Sequence, residues 1–339
     1  MYKELETLCS IPGVSGREDK VRDCLITLIG GSAEYNIDPL GNLIVFKKGV
    51  KTPKNKVMLA AHMDEVGYIV TYITDDGYLK FSAVGGVDTR VMLGRPVIVG
   101  EKSIPGVIGI KPVHMVTDDE KAAVPDQDNL YIDIGANSRE EAGKVVSPGD
   151  TVSFDSHPVR FGEGRIKAKA LDDRAGCLIL VNLIKSELPC DMHFVFTVQE
   201  EVGLRGAKSA AFSVAPDYAI VVETTTAADI AGVPKEKQVC KLGSGAVISF
   251  MDRSTVYNRK LYDLAFALAK KNGITVQPKT MVAGGNDAGS IHTSRSGVRT
   301  LTVSLPCRYL HSPSCVICDD DIKQVRKIVL ALAEECANA

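Results

Sequence analysis

Hydrophobic positions fall into distinct textures along the chain. Residues 3–9 and 17–29 place apolar side chains at helical spacing, split by the breaker IPGVSG. Residues 35–46 (YNIDPLGNLIVF) predict a hairpin turning at 38–42. Residues 57–61 (VMLAA) are an unbroken apolar run of the kind buried on both faces of a parallel sheet. From 68 to 163 the pattern breaks into short strands punctuated by Gly, Pro and Asp: GYIVTYI, GYLKFSAV, RPVIVG, IPGVIGIKPV, LYIDIGA and DTVSFD. That spacing predicts a small β-barrel or sandwich, with a single helix over 139–143 capped by Asn137-Ser138. After Lys169, helices and strands alternate again. Helices are expected over 172–188, 204–212, 259–272 and 319–337, with strands over 195–198, 218–223, 275–278 and 300–305. An α/β unit made of 1–67 plus 164–339 is thus interrupted by a β-rich insertion over 68–163.

Composition narrows the class. Of 339 residues, 45% are hydrophobic and 24% charged, ordinary for a globular protein. A net charge of −2 favours neither nucleic acid nor an anionic membrane surface. No apolar run is long enough to cross a bilayer. The opening residues MYKELETLCS interleave charged and apolar positions, unlike a signal peptide, so a cytoplasmic location is expected. Nine scattered cysteines include one CxxC, Cys315 and Cys318. No second pair completes a structural zinc site, and reduced thiols are expected.

The chemistry gathers where strands end. VMLAA leads into His62-x-Asp64, and VFTV leads into Gln199 and the adjacent Glu200 and Glu201. YAIVV ends on Glu223, LTVSL is followed by His311 in RYLHSP, and AKALDDRAG opens a helix with Asp172 and Asp173. Carboxyl ends of strands in an open sheet lie along one crevice, so these groups can converge. Adjacent glutamates there are costly to desolvate without cations nearby. Imidazole and carboxylate donors suit two divalent metals, and one further carboxylate can serve as base for an attacking water. Asp64, two residues from His62, is placed to hold the far ring nitrogen. Alternating side chains on a strand would let one glutamate bind metal while its neighbour reaches the water. His114, His157, His193 and His292 lack such company and read as structural. The loop GGNDAG at 284–289 is expected to form pocket wall, and Lys235, Lys237 and Arg253 are expected to be solvated surface charges.

The motifs AAHMDEVG, KALDDRAG, VQEEVGLRGA, VVETT and YLHSP together resemble the M42 family of metallo-aminopeptidases, which includes glutamyl aminopeptidases and TET peptidases. The resemblance spans the whole chain in order. It implies a mixed sheet flanked by helices of the zinc-peptidase kind, with the insertion as a small β-barrel, PDZ-like dimerisation domain. It implies two divalent ions per subunit, zinc or in some members cobalt. His62, Asp172 and Glu223 would hold one, and Asp172, Glu201 and His311 the other. Glu200 would be the general base on a metal-bridging water, and Asp64 would orient His62. Glu223 stands where aspartate is often found in the wider clan. Substrates would be peptides losing N-terminal residues, Glu or Asp by the family name. Assembly would be homo-oligomeric, from dimers towards a dodecamer. Some members carry an endoglucanase label, so glycoside hydrolysis is an alternative, as is a silent metal-binding scaffold. Glycosidases need carboxyls roughly 5 to 9.5 Å apart across the bond, which adjacent glutamates facing different ways do not offer.

Overall fold

A computed structural model describes residues 2–339. The apolar run becomes the strand Val57–His62, buried at every position, inside an eight-stranded sheet. In spatial order the strands are Glu34–Ile37, Leu43–Lys47, Met192–Thr197, Val57–His62, Tyr218–Thr226, Arg299–Cys307, Ala246–Ile248 and Val276–Pro278. The strands from Met192–Thr197 to Arg299–Cys307 run parallel, and antiparallel neighbours on either side make the sheet mixed. Parallel strands need cover on both faces, which is why Val57–His62 and the first half of Tyr218–Thr226 read as continuous apolar runs. Helices Leu171–Ile184 and Asp319–Asn338 pack on them and on each other, and Arg205–Val214 packs on Met192–Thr197.

Parallel direction brings four carboxyl ends to one edge. Thr197 sits opposite His62, and Val221 opposite Ala60, so Glu223 stands level with His62. Buried charge fixes the near side of this edge. Arg174, fully buried, donates to the carbonyls of Met63 at 2.8 Å and Leu8 at 2.6 Å. Beside it Lys169 pairs with Glu65 at 2.7 Å. Glu65 also faces Arg174 Nη2 at 3.8 Å, so the buried charges are paired, as burial requires.

The β-rich stretch closes into an antiparallel barrel in the order Gly67–Ile73, Leu79–Val84, Tyr131–Asp133, Ile104–Gly109, Pro96–Val99 and Thr151–Phe154. It has its own core, in which Tyr68 meets Phe81 and Phe154 edge-on at centroid distances of 5.0 and 5.5 Å. A second short helix, Asp118–Ala122, accompanies the expected Arg139–Gly143. Thr117 and Glu120 form its capping box, but five residues are too few to show a helical period.

Other differences bear on the site. The helix expected from 172 spans Leu171–Ile184; Asp172 and Asp173 have non-helical backbone angles, and Asp173 caps the regular turns by accepting from the Gly176 amide at 3.1 Å. The strand expected at 195–198 is Met192–Thr197, so Glu200 and Glu201 lie beyond it in a turn, and strand alternation does not set their directions. Gly203 in that turn has φ 120°, and a side chain at Gly206 would put its Cβ 2.3 Å from Asn42 Oδ1 and 2.4 Å from the Val198 carbonyl. Glycine at both positions lets the turn dock its helix directly on the strand end. Cys315 and Cys318 lie in the strand Cys315–Cys318, buried and unbonded, three positions apart and so on opposite faces. They do not form a chelating pair. Among the described residues, no helix is long and apolar enough to cross a membrane.

Candidate metal centre

A cavity of about 140 Å³ opens beyond the carboxyl edge, and His62, Asp172, Glu200, Glu201, Glu223 and His311 all line it. His62 comes from the last position of its strand and is 1% exposed at the side chain. Its Nε2 lies 3.2 Å from Asp172 Oδ1 and 3.4 Å from Glu223 Oε1, and its Nδ1 lies 3.3 Å from Asp64 Oδ1. His311 enters from the other side on a loop, with Nε2 at 3.3 Å from both Asp172 Oδ2 and Glu201 Oε1. Its Nδ1 is 2.8 Å from the carbonyl of Gly86, contributed by the segment that follows the barrel strand Leu79–Val84. Asp172 therefore turns one oxygen to each imidazole.

Asp64 does more than hold His62. Its two oxygens also accept from the backbone amides of Glu200 at 3.0 Å and Glu201 at 3.1 Å, and from Ser15 Oγ at 2.6 Å. This fully buried carboxylate clamps the glutamate turn to the neighbouring strand. The turns around the site are strained: Ala170, Gln199, Leu204, Tyr309 and His311 all have left-handed φ between 53° and 58°. Non-glycine residues hold that conformation only when packing over-determines it, and such positions cluster at working sites.

Electrostatics shows what the cluster lacks. Burial, reinforced by neighbouring carboxylates, pushes Glu200 well above the usual carboxylate range. The same cause pushes Glu201 up to about 7 and Glu223 up to about 8. Burial opposes a charge on His311, but its hydrogen bond to Asp172 and the nearby Glu201 outweigh that and push it up to about 10. Glu201 Oε1 and Asp173 Oδ2 are buried without hydrogen-bond partners. Two groupings have ligand-type atoms close enough for one ion: His62, Asp173 and Glu223, and His62, Asp172 and Glu201. Crowded carboxylates, paired imidazoles and unpartnered buried oxygens are a donor set that divalent cations satisfy.

The sequence reading brought together His62, Asp64, Asp172, Glu200, Glu201, Glu223 and His311, and the fold places all of them here. It named Asp173 among the converging acids but gave it no role, and its carboxylate is fully buried beside Glu223 and His62. It also missed Asp287, which is buried, accepts a short hydrogen bond from Thr197 Oγ1, and is pushed up to about 6 by burial. Lys279 was missed too, because the strand Val276–Pro278 that it follows runs antiparallel to the central strands and the strand-end rule points its carboxyl end away from the common edge. It is buried, lines the cavity, and donates from Nζ to the Ala283 carbonyl at 2.9 Å. Gly284, Gly285 and Asn286 form cavity wall, as expected of the loop. Lys235, Lys237 and Arg253 are exposed and do not line it.

A fold and donor set of this kind define a metal-dependent peptidase of the zinc-peptidase type. Residues 41–328 match the family model described as M42 glutamyl aminopeptidase, and the chain belongs to that family. It is 34% identical to a lysyl aminopeptidase of Pyrococcus furiosus over 98% of this chain and 97% of that protein. An aminopeptidase from the archaeon Desulfurococcus kamchatkensis superimposes with a TM-score of 0.93 at 35% identity, covering 98% of this chain and 94% of that one. The TET1 peptidase of Pyrococcus horikoshii, which can assemble into a tetrahedron or a large octahedral shell, superimposes with a TM-score of 0.87 at 37% identity and 98% coverage of both chains. The protein is a peptidase, and its family supports an aminopeptidase function.

Proposed function

We propose that the chain is a dinuclear metal-dependent aminopeptidase. The observation that carries this is the split of Asp172, Oδ1 towards His62 and Oδ2 towards His311. His62, Asp172 and Glu223 would hold one ion, and Asp172, Glu201 and His311 the other. Asp173 stands by as a further donor on the His62 side. Imidazole and carboxylate oxygens suit zinc, with cobalt as the other option. Bound there, the ions would polarise the scissile carbonyl and favour deprotonation of water. Glu200 belongs to neither donor set. It would take the proton from the attacking water and hand it to the leaving amine, from a place on the cavity wall beside both donor sets. Asp64 would keep both His62 and the Glu200–Glu201 turn in place.

The cavity's small volume suits one residue of a peptide, consistent with removal of N-terminal residues. Among the described residues, Lys279 is the one lysine or arginine lining it. An ammonium there would attract an acidic side chain and repel a basic one, which favours a Glu or Asp preference over the lysyl specificity of the Pyrococcus furiosus relative. The barrel, with 68–163 as its sequence limits, would serve as a dimerisation domain. Homo-oligomers built on it, up to a dodecamer, would match the shells formed by the Pyrococcus horikoshii peptidase.

One panel tests the reading: Glu, Asp, Leu and Lys anilides beside carboxymethylcellulose, before and after chelation, and with zinc or cobalt restored. Anilides should be cleaved only with metal, with Glu and Asp preferred. Lys279→Met should erase that preference by about tenfold. Cellulose cleavage insensitive to chelator would overturn the assignment.

A further inference from the structure

The inner cavity is small, so a peptide with its first residue there extends past the rim. Two spaces adjoin the cavity across His311. One, bounded by Glu65, Lys169, Asp172 and Cys315, has about 10 Å³, space for a single water at most. The other is a groove of about 510 Å³ between the barrel edge, which supplies Gly86, Asp88, Val91 and Arg95, and the 309–314 loop. Leu310 and His311 line both this groove and the inner cavity.

We propose that this groove binds the peptide on the leaving side of the scissile bond, so that the enzyme reads the second residue of its substrate as well as the first. The inference rests on the aminopeptidase reading above. Tyr309, Leu310, Val91 and Pro313 give the groove apolar and aromatic walls that suit an apolar or aromatic second residue. Tyr309 is 52% exposed and held at φ 58°, so its ring is presented rather than packed away. Arg90 is spent on Asp88. Arg95 instead makes only a 3.2 Å bond from Nε to the Val91 carbonyl and, among the described residues, no ion pair. Its guanidinium is available for a carboxylate further along the peptide, either the C-terminus of a short substrate or an acidic side chain. The bond from His311 to Gly86 ties the two walls together, so the groove keeps its shape next to the chemistry.

The test uses the full-length, metal-loaded protein and the N-terminal residue X preferred in the anilide assay. The reference substrate is the aminoacyl amide X-NH2, whose leaving group, ammonia, carries no second residue. Against it stand X-Gly-Ala, X-Phe-Ala, X-Phe-Ala-NH2 and X-Phe-Asp-NH2. Phe over Gly should raise kcat/KM by about tenfold, and blocking the C-terminus should lower it by about fivefold through KM, with Asp restoring part of the loss if side-chain carboxylates also reach Arg95. Tyr309→Ala should remove the Phe advantage and Arg95→Gln the carboxylate advantage, each by about tenfold on peptides against less than about threefold on X-NH2. A wild-type series flat to within about twofold overturns the groove, and so do variants that slow peptides and X-NH2 equally. Because the wild-type series needs no variant, poor folding of a mutant does not shield the proposal. Loss of X-NH2 and anilide hydrolysis together would instead remove the aminopeptidase reading itself.

Discussion

The two imidazoles of the site are held by different means. His62 is the last residue of a central strand, 1% exposed, with carboxylates around both ring nitrogens. His311 is 32% exposed, sits on a loop at φ 57°, and takes its second ring contact from a carbonyl beside the barrel. The sheet supplies one half with rigidity and low dielectric. Loops and the inserted barrel supply the other with access. A peptidase needs both, because ligands must be fixed while peptides must enter and leave. The contrast also explains why Asp172 lies between the halves: a helix start beside the sheet edge reaches both.

The sharpest test concerns the group that belongs to neither half. Glu200→Gln should lower kcat by about a thousandfold while bound metal, measured by elemental analysis, stays within the wild-type range. Metal loss with activity would make Glu200 a ligand instead. Next, the two histidines should separate. His62→Ala leaves Asp64, Asp172 and Glu223 buried without their imidazole and should cost about 3 kcal/mol in chemical denaturation. His311→Ala should cost about 1 kcal/mol, because water can replace a partly exposed ring. Both should lose metal. Equal stability costs would erase the contrast between halves.

Asp64→Asn probes the clamp that serves the rigid half. An amide offers one acceptor oxygen where the carboxylate accepts from Ser15 and the amides of Glu200 and Glu201. Metal affinity, read by competition with a chromogenic chelator, should fall by about 10- to 100-fold.

The smallest effect should be in pH dependence. Asp287 is pushed from the usual aspartate value up to about 6 by burial, so its ionisation opposes folding. The stability it supports is fully present below about pH 4 and is lost as pH rises through about 6. Asp287→Asn should therefore flatten the melting temperature between about pH 4 and 7, relative to a falling wild-type curve, with chelator present in both. A parallel fall in both proteins would place the titration elsewhere.

Much of this was legible in the residues alone. Unbroken apolar runs marked the parallel strands, and acids and histidines after them marked the site, because parallel strands deliver their carboxyl ends to a common edge whatever the intervening chain does. The short strands of 68–163, divided by Gly, Pro and Asp, likewise announced a small barrel or sandwich, and the fold closes them into a barrel. What only the tertiary structure decided were contacts between segments distant along the chain. Ser15, Glu200 and Glu201 meet on Asp64, Gly86 steadies His311, and Lys279 reaches the cavity wall. Spacing within a motif carries no record of such donors, since they come from other loops. The directions of Glu200 and Glu201 belong to the same class. The sequence placed them at a strand's end, but a left-handed Gln199 and the hydrogen bonds that the Glu200 and Glu201 amides donate to Asp64, rather than β-pleat, set where they point. Local sequence determines which element forms and which residues reach its end, because those depend on period and propensity. The packing of one element against another determines which charge meets which, because that energy exists only once distant segments are brought together.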